Sequence, residues 1–280
     1  EEGSRFVPVM MGSGVFAGVF PLEETWAVTD KEGVSVGEAL AQIGYIGEQT
    51  PGEHPIGAYF EAHIEQGPIL EDEAKTIGIV QGVLGIRWYD CVVTGQASHA
   101  GPAPMRLRQD ALQVATRIMQ EVVAIAGRSE EGVGSVQVWP NSRNVVPGEV
   151  TFSIDMRNLS DALVDEMDRQ LRAFIAEIER ESGLQVALKQ VSHYPAAPFD
   201  AECQQAIADA AQRLGYPARP IVSGAGHDAV YMSYLAPTGM IFIPCKDGIS
   251  HNEIEYASPE HVAAGANVLL QVMLQYARPV

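Results

Sequence analysis

Apolar and polar positions alternate with different periods in different parts of the chain. Residues 1–56 are glycine-rich and weakly periodic and predict no long element, whereas 57–64 (GAYFEAHI) and 76–83 (TIGIVQGV) read as strands. From about Gly85 to Ser192 strands are expected at 86–94, 133–139, 149–157 and 185–191, and helices at 108–126 and 161–182. Leu112, Ala115, Met119 and Val122 recur at helical spacing in the first helix. In the second, Leu163, Met167, Leu171, Phe174 and Ile178 form the apolar stripe, with Ser160 as N-cap and Gly183 just past the end. The order β-α-β-β-α-β is that of a ferredoxin-like unit. After Pro195, helices at about 201–214, 227–234 and 259–277 alternate with strands at 218–222 and 240–244, which argues a mostly parallel α/β sheet. The simplest architecture is one α/β domain split in sequence, residues 1–85 and 196–280, carrying an inserted α+β domain at 86–195. Sites in such sheets form at the carboxyl ends of strands, so the loops 223–226 and 245–251 are places to look for chemistry.

Composition narrows the function classes. The chain has 280 residues, 46% of them hydrophobic, and a formal net charge of −18. That charge argues against non-specific binding to nucleic acid or to an anionic membrane. Three cysteines, Cys91, Cys203 and Cys245, lie far apart with no CxxC, so neither a disulfide framework nor a thiolate zinc site is indicated and a reducing cytosol fits best. No apolar run approaches the ~18 residues of a membrane span. The opening Glu1-Glu2-Gly3-Ser4-Arg5-Phe6 reads as the middle of a domain.

Individual residues carry weak signals. Glu1 and Glu2 are adjacent acids, ordinarily a solvated surface, but on a tight turn one can ligate a metal while the other accepts a proton. His63 ends a strand and is followed by Glu65-Gln66-Gly67-Pro68; a lone strand histidine is more often packed or exposed than ligating. His251 lies in a polar loop, 246–253, whose hydrogen-bonding groups could orient a ligand imidazole. His227 follows Ser223-Gly224-Ala225-Gly226, where glycines permit close backbone approach and the N–H groups of a starting helix could hold an anion or a carbonyl. His99 lies in ASHAGP, a loop leaving the inserted domain's first strand. Arg157 shares a strand face with Thr151, Ser153 and Asp155, opposite Val150, Phe152, Ile154 and Met156, so it is either ion-paired or a carboxylate clamp. Asn144 occupies the preceding turn, where Asn is common for conformational reasons alone. His54, His193 and His261 have no supporting context.

Together the segments EEGSRF, EAHIEQGP, ASHAGP, PNSRNVVPGEVTFSIDMR, SGAGHDA and GISHNE resemble the metallopeptidase M20 family. Within it they resemble the branch of N-carbamoyl-L-amino-acid hydrolases, β-ureidopropionases and allantoate amidohydrolases. The resemblance implies a zinc-peptidase-like catalytic domain with an inserted ferredoxin-like lid and dimerisation domain. It implies Glu1 as general base, Glu2, His63 and His251 as metal ligands, and Gln66, Gly226 and Ser250 as substrate contacts. His99 would stabilise the oxyanion, Arg157 would hold a substrate carboxylate and Asn144 would assist. Two divalent ions, zinc, manganese, cobalt or nickel, and a cytoplasmic homodimer acting on a small ureido substrate follow from the same resemblance. Allantoate amidohydrolase is a close alternative; a non-catalytic dimerising scaffold and a peptidase or aminoacylase are more distant ones.

In the family a His and a bridging Asp precede the Glu-Glu pair, and both are absent from this sequence. The expectation is therefore an incomplete catalytic domain, with weak or absent metal binding and no turnover in the 280-residue chain. Metal content and N-carbamoyl-alanine hydrolysis, measured beside the same protein with an upstream segment restored, test this. Turnover by the 280-residue chain at the longer protein's rate would contradict it.

Overall fold

The computed structural model describes residues 3–127 and 130–277. The chain divides into two compact units, one formed by residues 1–83 and 197–280 and the other by 84–196. The stretch expected to lack elements carries three short helices, α1 (Met11–Phe16), α2 (Leu22–Ala27) and α3 (Val36–Gln42). Each is under two turns long, too short to display an apolar period. Local signals support them instead: Ser35 Oγ accepts the Glu38 N–H at 3.2 Å and Glu38 Oε2 accepts the Ser35 N–H at 2.9 Å, a capping box at the start of α3. Phe6, Met11 and Val36 are buried as a small separate core with Phe20, Trp26 and Leu40 against them. Strand β1 (Tyr59–Ile64), helix α4 (Ile69–Asp72) and strand β2 (Ile77–Val83) follow.

The second unit contains β3 (Gly85–Thr94), β4 (Ser98–His99), α5 (Ala111–Ala126), β5 (Glu130–Trp139), β6 (Val145–Val146), β7 (Glu149–Asn158), α6 (Asp161–Ser182) and β8 (Gln185–Tyr194). Its main sheet has the order β5-β7-β3-β8 with every pairing antiparallel, the ferredoxin-like arrangement. One sheet face is covered by both helices: Tyr89, Cys91 and Val93 of β3 and Val150, Phe152, Ile154 and Met156 of β7 share a core with α5 and α6. The alternation read in 150–156 is the buried face of β7, each of its four apolar residues being fully buried. The stripe of α6 differs from the expected one. Val164, Met167, Leu171, Ile175 and Ile178 are buried, Phe174 is partly buried, and Leu163 is 52% exposed. Both sets satisfy the helical spacing, and only the direction from which the sheet approaches selects between them. Ser160 stands at the N-cap without a side-chain bond; its own N–H is taken at 2.9 Å by Asn158 Oδ1.

The chain then returns to the first unit with β9 (Ala197–Pro198), α7 (Ala201–Leu214), β10 (Ala218–Ser223), α8 (Asp228–Met232), β11 (Thr238–Ile243) and α9 (Pro259–Tyr276). The sheet order is β1-β11-β2-β10, with β9 on β2. Most of the paired length is parallel, β1 with β11 and β10 with β2, while β11 meets β2 antiparallel over three residue pairs. Residues of α7 and α9 pack on one face with Ile77, Ile79, Ile241 and Ile243; Leu70 of α4 and Ala229 of α8 pack on the other with Val80, Met240 and Phe242. All of β11 is buried, which is why it reads as an unbroken apolar run. The three cysteines are buried and free, and among the described residues no helix is long and apolar enough to cross a membrane.

The α6 geometry predicts a contrast between neighbouring rows. Leu171→Ala, at a fully buried position, should cost about 2–5 kcal/mol in urea unfolding. Leu163→Ala should stay within about 0.5 kcal/mol. Equal losses would show that the stripe lies along the other row.

Candidate functional site

The site begins with the parallel pairing of β1 and β11. His63 stands opposite Phe242 and Ile64 opposite Ile243, so the two strands end together and their following loops leave the same edge of the sheet. Those loops are tied side by side. Gln66 Nε2 donates to Ser250 Oγ at 2.8 Å, and the Asp247 N–H donates to Glu71 Oε2 at 2.6 Å. Gly248, with φ +64°, approaches so closely that a Cβ there would lie 2.8 Å from Gly67 C and Pro68 N. Gln66, Asp247 and His251 hold φ values of 59°, 57° and 54°, sparsely populated for residues other than glycine.

A cavity of about 630 Å³ results, lined by Ser4, His63, Ile64, Gln66, His251, Asn252 and Glu255. It unites His63, Gln66 and His251, and Ser250 joins them through its bond to Gln66. Ser4, Asn252 and Glu255 were not singled out from the sequence. For Glu255 the only signal is its place four residues after His251, whose N–H it accepts at 3.1 Å. Glu1 and Glu2, assigned above as base and ligand, lie outside the described residues. Among the described residues no group of three or more His, Cys, Asp or Glu gathers at metal-binding distance.

The histidines differ in which nitrogen is left to act. His63 Nδ1 lies 2.8 Å from the Ile64 carbonyl oxygen. A carbonyl only accepts, so Nδ1 carries a proton, and in the neutral ring Nε2 then keeps its lone pair, the form a metal ligand requires. His99, on β4, shows the reverse: its Nδ1 accepts the Gly101 N–H at 3.1 Å, which places the proton of the neutral ring on Nε2 and makes it a donor. His227 is neither exposed nor on the cavity wall. It is 4% exposed, bonded through Nε2 to Ser223 Oγ at 2.8 Å, and burial beside His63 pushes its pKa down to about 3. Two of the first amides of α8 already have acceptors, the Ala229 N–H in Glu61 Oε2 at 2.9 Å and the Val230 N–H in the His227 carbonyl at 3.0 Å. Gly226 is exposed in that loop, with Met10 Cε 3.0 Å from where a Cβ would sit.

In the second unit the short β4–β6 pairing sets His99 opposite Val145, beside Asn144, whose carbonyl accepts the Ala100 N–H at 2.8 Å. Asn144 Oδ1 accepts the Ser142 hydroxyl at 3.0 Å. Arg157 stands on a different sheet, on β7, and grips Asp155 with Nε at 3.0 Å and Nη2 at 2.7 Å. The ion-paired alternative for Arg157 is thus what the free chain shows.

The sequence model described as peptidase family M20/M25/M40 matches residues 1–275. The chain is 43% identical over 281 residues to an N-carbamoyl-L-amino-acid amidohydrolase of Rhizobium meliloti, covering 99% of this chain and 68% of that protein. It is 32% identical over 287 residues to an allantoate amidohydrolase of Bacillus subtilis, covering 99% and 69%. The crystal structure of an amidase of the hydantoinase/carbamoylase family from Burkholderia multivorans matches with a TM-score of 0.96 at 53% identity, over 100% of this chain and 69% of that one. The chain thus spans roughly two thirds of the length of these relatives.

Glu65 holds the His63 loop in shape. Pro68 at the N-cap of α4 has no side-chain acceptor, and Glu65 replaces it by accepting the Ile69 and Leu70 N–H groups at 2.8 Å each. Glu65→Ala leaves both amides unpaired and should cost about 1–3 kcal/mol by thermal unfolding. Glu65→Gln, which keeps one acceptor oxygen, should lose less; an equal loss would mean that the carboxylate does not cap α4.

Proposed function

The chain belongs to peptidase family M20/M25/M40, and from that premise we propose that it hydrolyses the carbamoyl C–N bond of N-carbamoyl-L-amino acids or 3-ureido acids. It is a hydrolase of C–N bonds, the class of its amidohydrolase relatives. The observation that supports the finer reading most is the opposed state of two histidines: His63 keeps a lone pair on Nε2 in the cavity, and His99 keeps a proton on Nε2. One suits a metal ligand, the other a donor to an oxyanion. The 43% identity to the carbamoyl-amino-acid enzyme of Rhizobium meliloti supports the choice of substrate.

Enzymes of this family generally use divalent metal ions. The described residues fit such an ion in chemistry, two imidazoles on one cavity wall, and Glu2 would complete the set on this chain. Imidazole and carboxylate donors admit zinc, manganese, cobalt or nickel. When bound, the ions polarise the scissile carbonyl and acidify the attacking water. Glu1 takes the proton from that water and delivers it to the leaving nitrogen. His99 donates through Nε2 to the carbonyl oxygen as negative charge develops on it. Arg157 holds the substrate carboxylate, while Gln66, Asn144, Gly226 and Ser250 contact its polar groups. The products are ammonia, carbon dioxide and an amino acid. The same reading includes a cytoplasmic homodimer formed through the inserted unit, supported by the exposed outer edges of its sheet at β5 and β8; sedimentation that gives only monomer overturns the dimer.

The test is turnover by the full-length protein on N-carbamoyl-alanine, 3-ureidopropionate and allantoate, with loss of activity on chelation and recovery on adding a divalent ion. Hydrolysis of allantoate alone overturns the substrate choice. Arg157→Met should raise KM for N-carbamoyl-alanine about 10- to 100-fold. His99→Ala should lower kcat by about 100-fold.

A further inference from the structure

Strand β1 turns Tyr59, Glu61 and His63 to one face, with Phe60 and Ile64 packed into the core on the other. The three meet the loop that leads into α8. The Tyr59 hydroxyl donates to Glu61 Oε2 at 3.1 Å, the same oxygen that accepts the Ala229 N–H. Glu61 Oε1 lies 3.8 Å from His227 Nδ1. The His227 ring packs edge-on against His63, centroids 4.7 Å apart and planes at 66°. Phe242 borders both rings, 5.5 Å from His227 and 6.4 Å from His63. Ser223, 2% exposed, anchors His227 and also donates its hydroxyl proton to the Ala225 carbonyl at 3.0 Å.

Among the described residues His63 has one polar tie of its own, from Nδ1 to the Ile64 carbonyl. One hydrogen bond leaves the tilt of an imidazole to whatever packs on its face and edges. Here that neighbour is a buried ring bonded at Nε2 and bordered by Glu61 and Phe242, so it has little freedom to turn. We propose that His227 is a positioning residue for His63: anchored by Ser223, it sets the plane of the His63 imidazole and so the direction of the Nε2 lone pair. Glu61 contributes by tying the start of α8 to β1, which makes the loop bearing Gly226 and the strand bearing His63 one body. A structural site that only filled space would need neither the Ser223 bond nor a second imidazole. The proposal rests on the reading of His63 as ligand to a divalent ion.

Co(II) is the probe, titrated into the metal-free full-length protein and followed by its visible absorption. His227→Leu should weaken Co(II) binding about tenfold and shift the absorption band, the size of effect seen when a ligand's supporting partner is removed. Ser223→Ala keeps the ring and removes its anchor; it should move both readings in the same direction by less, and it carries the test if His227→Leu fails to fold. Val80→Ala, a buried change in β2, should lower the Tm and leave the Co(II) band in place, which separates positioning from general loss of stability. His63→Ala is the check on the underlying reading. If it binds Co(II) as the unaltered protein does, His63 is not a ligand and the proposal falls with that reading. If His63→Ala loses Co(II) while His227→Leu and Ser223→Ala keep the original affinity and band, the ligand reading stands and the positioning role is overturned.

Discussion

The parallel pairing of β1 with β11 is the constraint from which the rest of the site follows. Parallel strands in register end at the same edge of a sheet, so pairing His63 with Phe242 obliges the loops after Ile64 and Ile243 to begin side by side. Everything that closes the cavity is then local: the Gln66–Ser250 bond, the contact of Gly248 with Gly67 and Pro68, and the Asp247–Glu71 bond. The left-handed backbone at Gln66, Asp247 and His251 accompanies these close contacts. Unfavourable local conformation of this kind persists where surrounding structure over-determines it, and here each of the two loops supplies that for the other.

The chemistry of each imidazole is set by one backbone group beside it. A carbonyl next to His63 Nδ1 and an amide next to His99 Nδ1 assign opposite protons to rings of identical composition. Burial assigns a third state to His227, which stays neutral because an imidazolium at that depth lacks solvent. Glu61 is likewise held above the usual carboxylate range, by burial first, against the opposing effect of the Ala229 and Tyr59 bonds. Three histidines of one sequence thus have three distinct surroundings.

The elements of the chain were largely legible in advance because their signals are local. The long helices and strands show their periods over enough residues to be read, and the order of elements in the inserted unit leads directly to its sheet order. The short helices of residues 11–42 were not legible, since helices of six or seven residues show too little of a period. The row of α6 that faces the sheet was only half legible. Leu163 and Val164 are both apolar and both spaced correctly from Met167, and the sheet buries the second.

For the site, the sequence by itself determined the residue types and the family kinship, since motifs such as EAHIEQGP and GISHNE are contiguous and keep their identity whatever the chain does elsewhere. Tertiary structure decided which of those residues meet. His63 and His251 share a cavity because two strands distant in sequence pair in parallel, and His227 lies behind His63 because the loop before α8 folds onto β1. Glu61 acquires its role the same way, through its bond to the Ala229 N–H, whereas Ser223 and Glu255 bond residues only four positions away in the chain. What the sequence does not display is distance through space between segments that it keeps far apart.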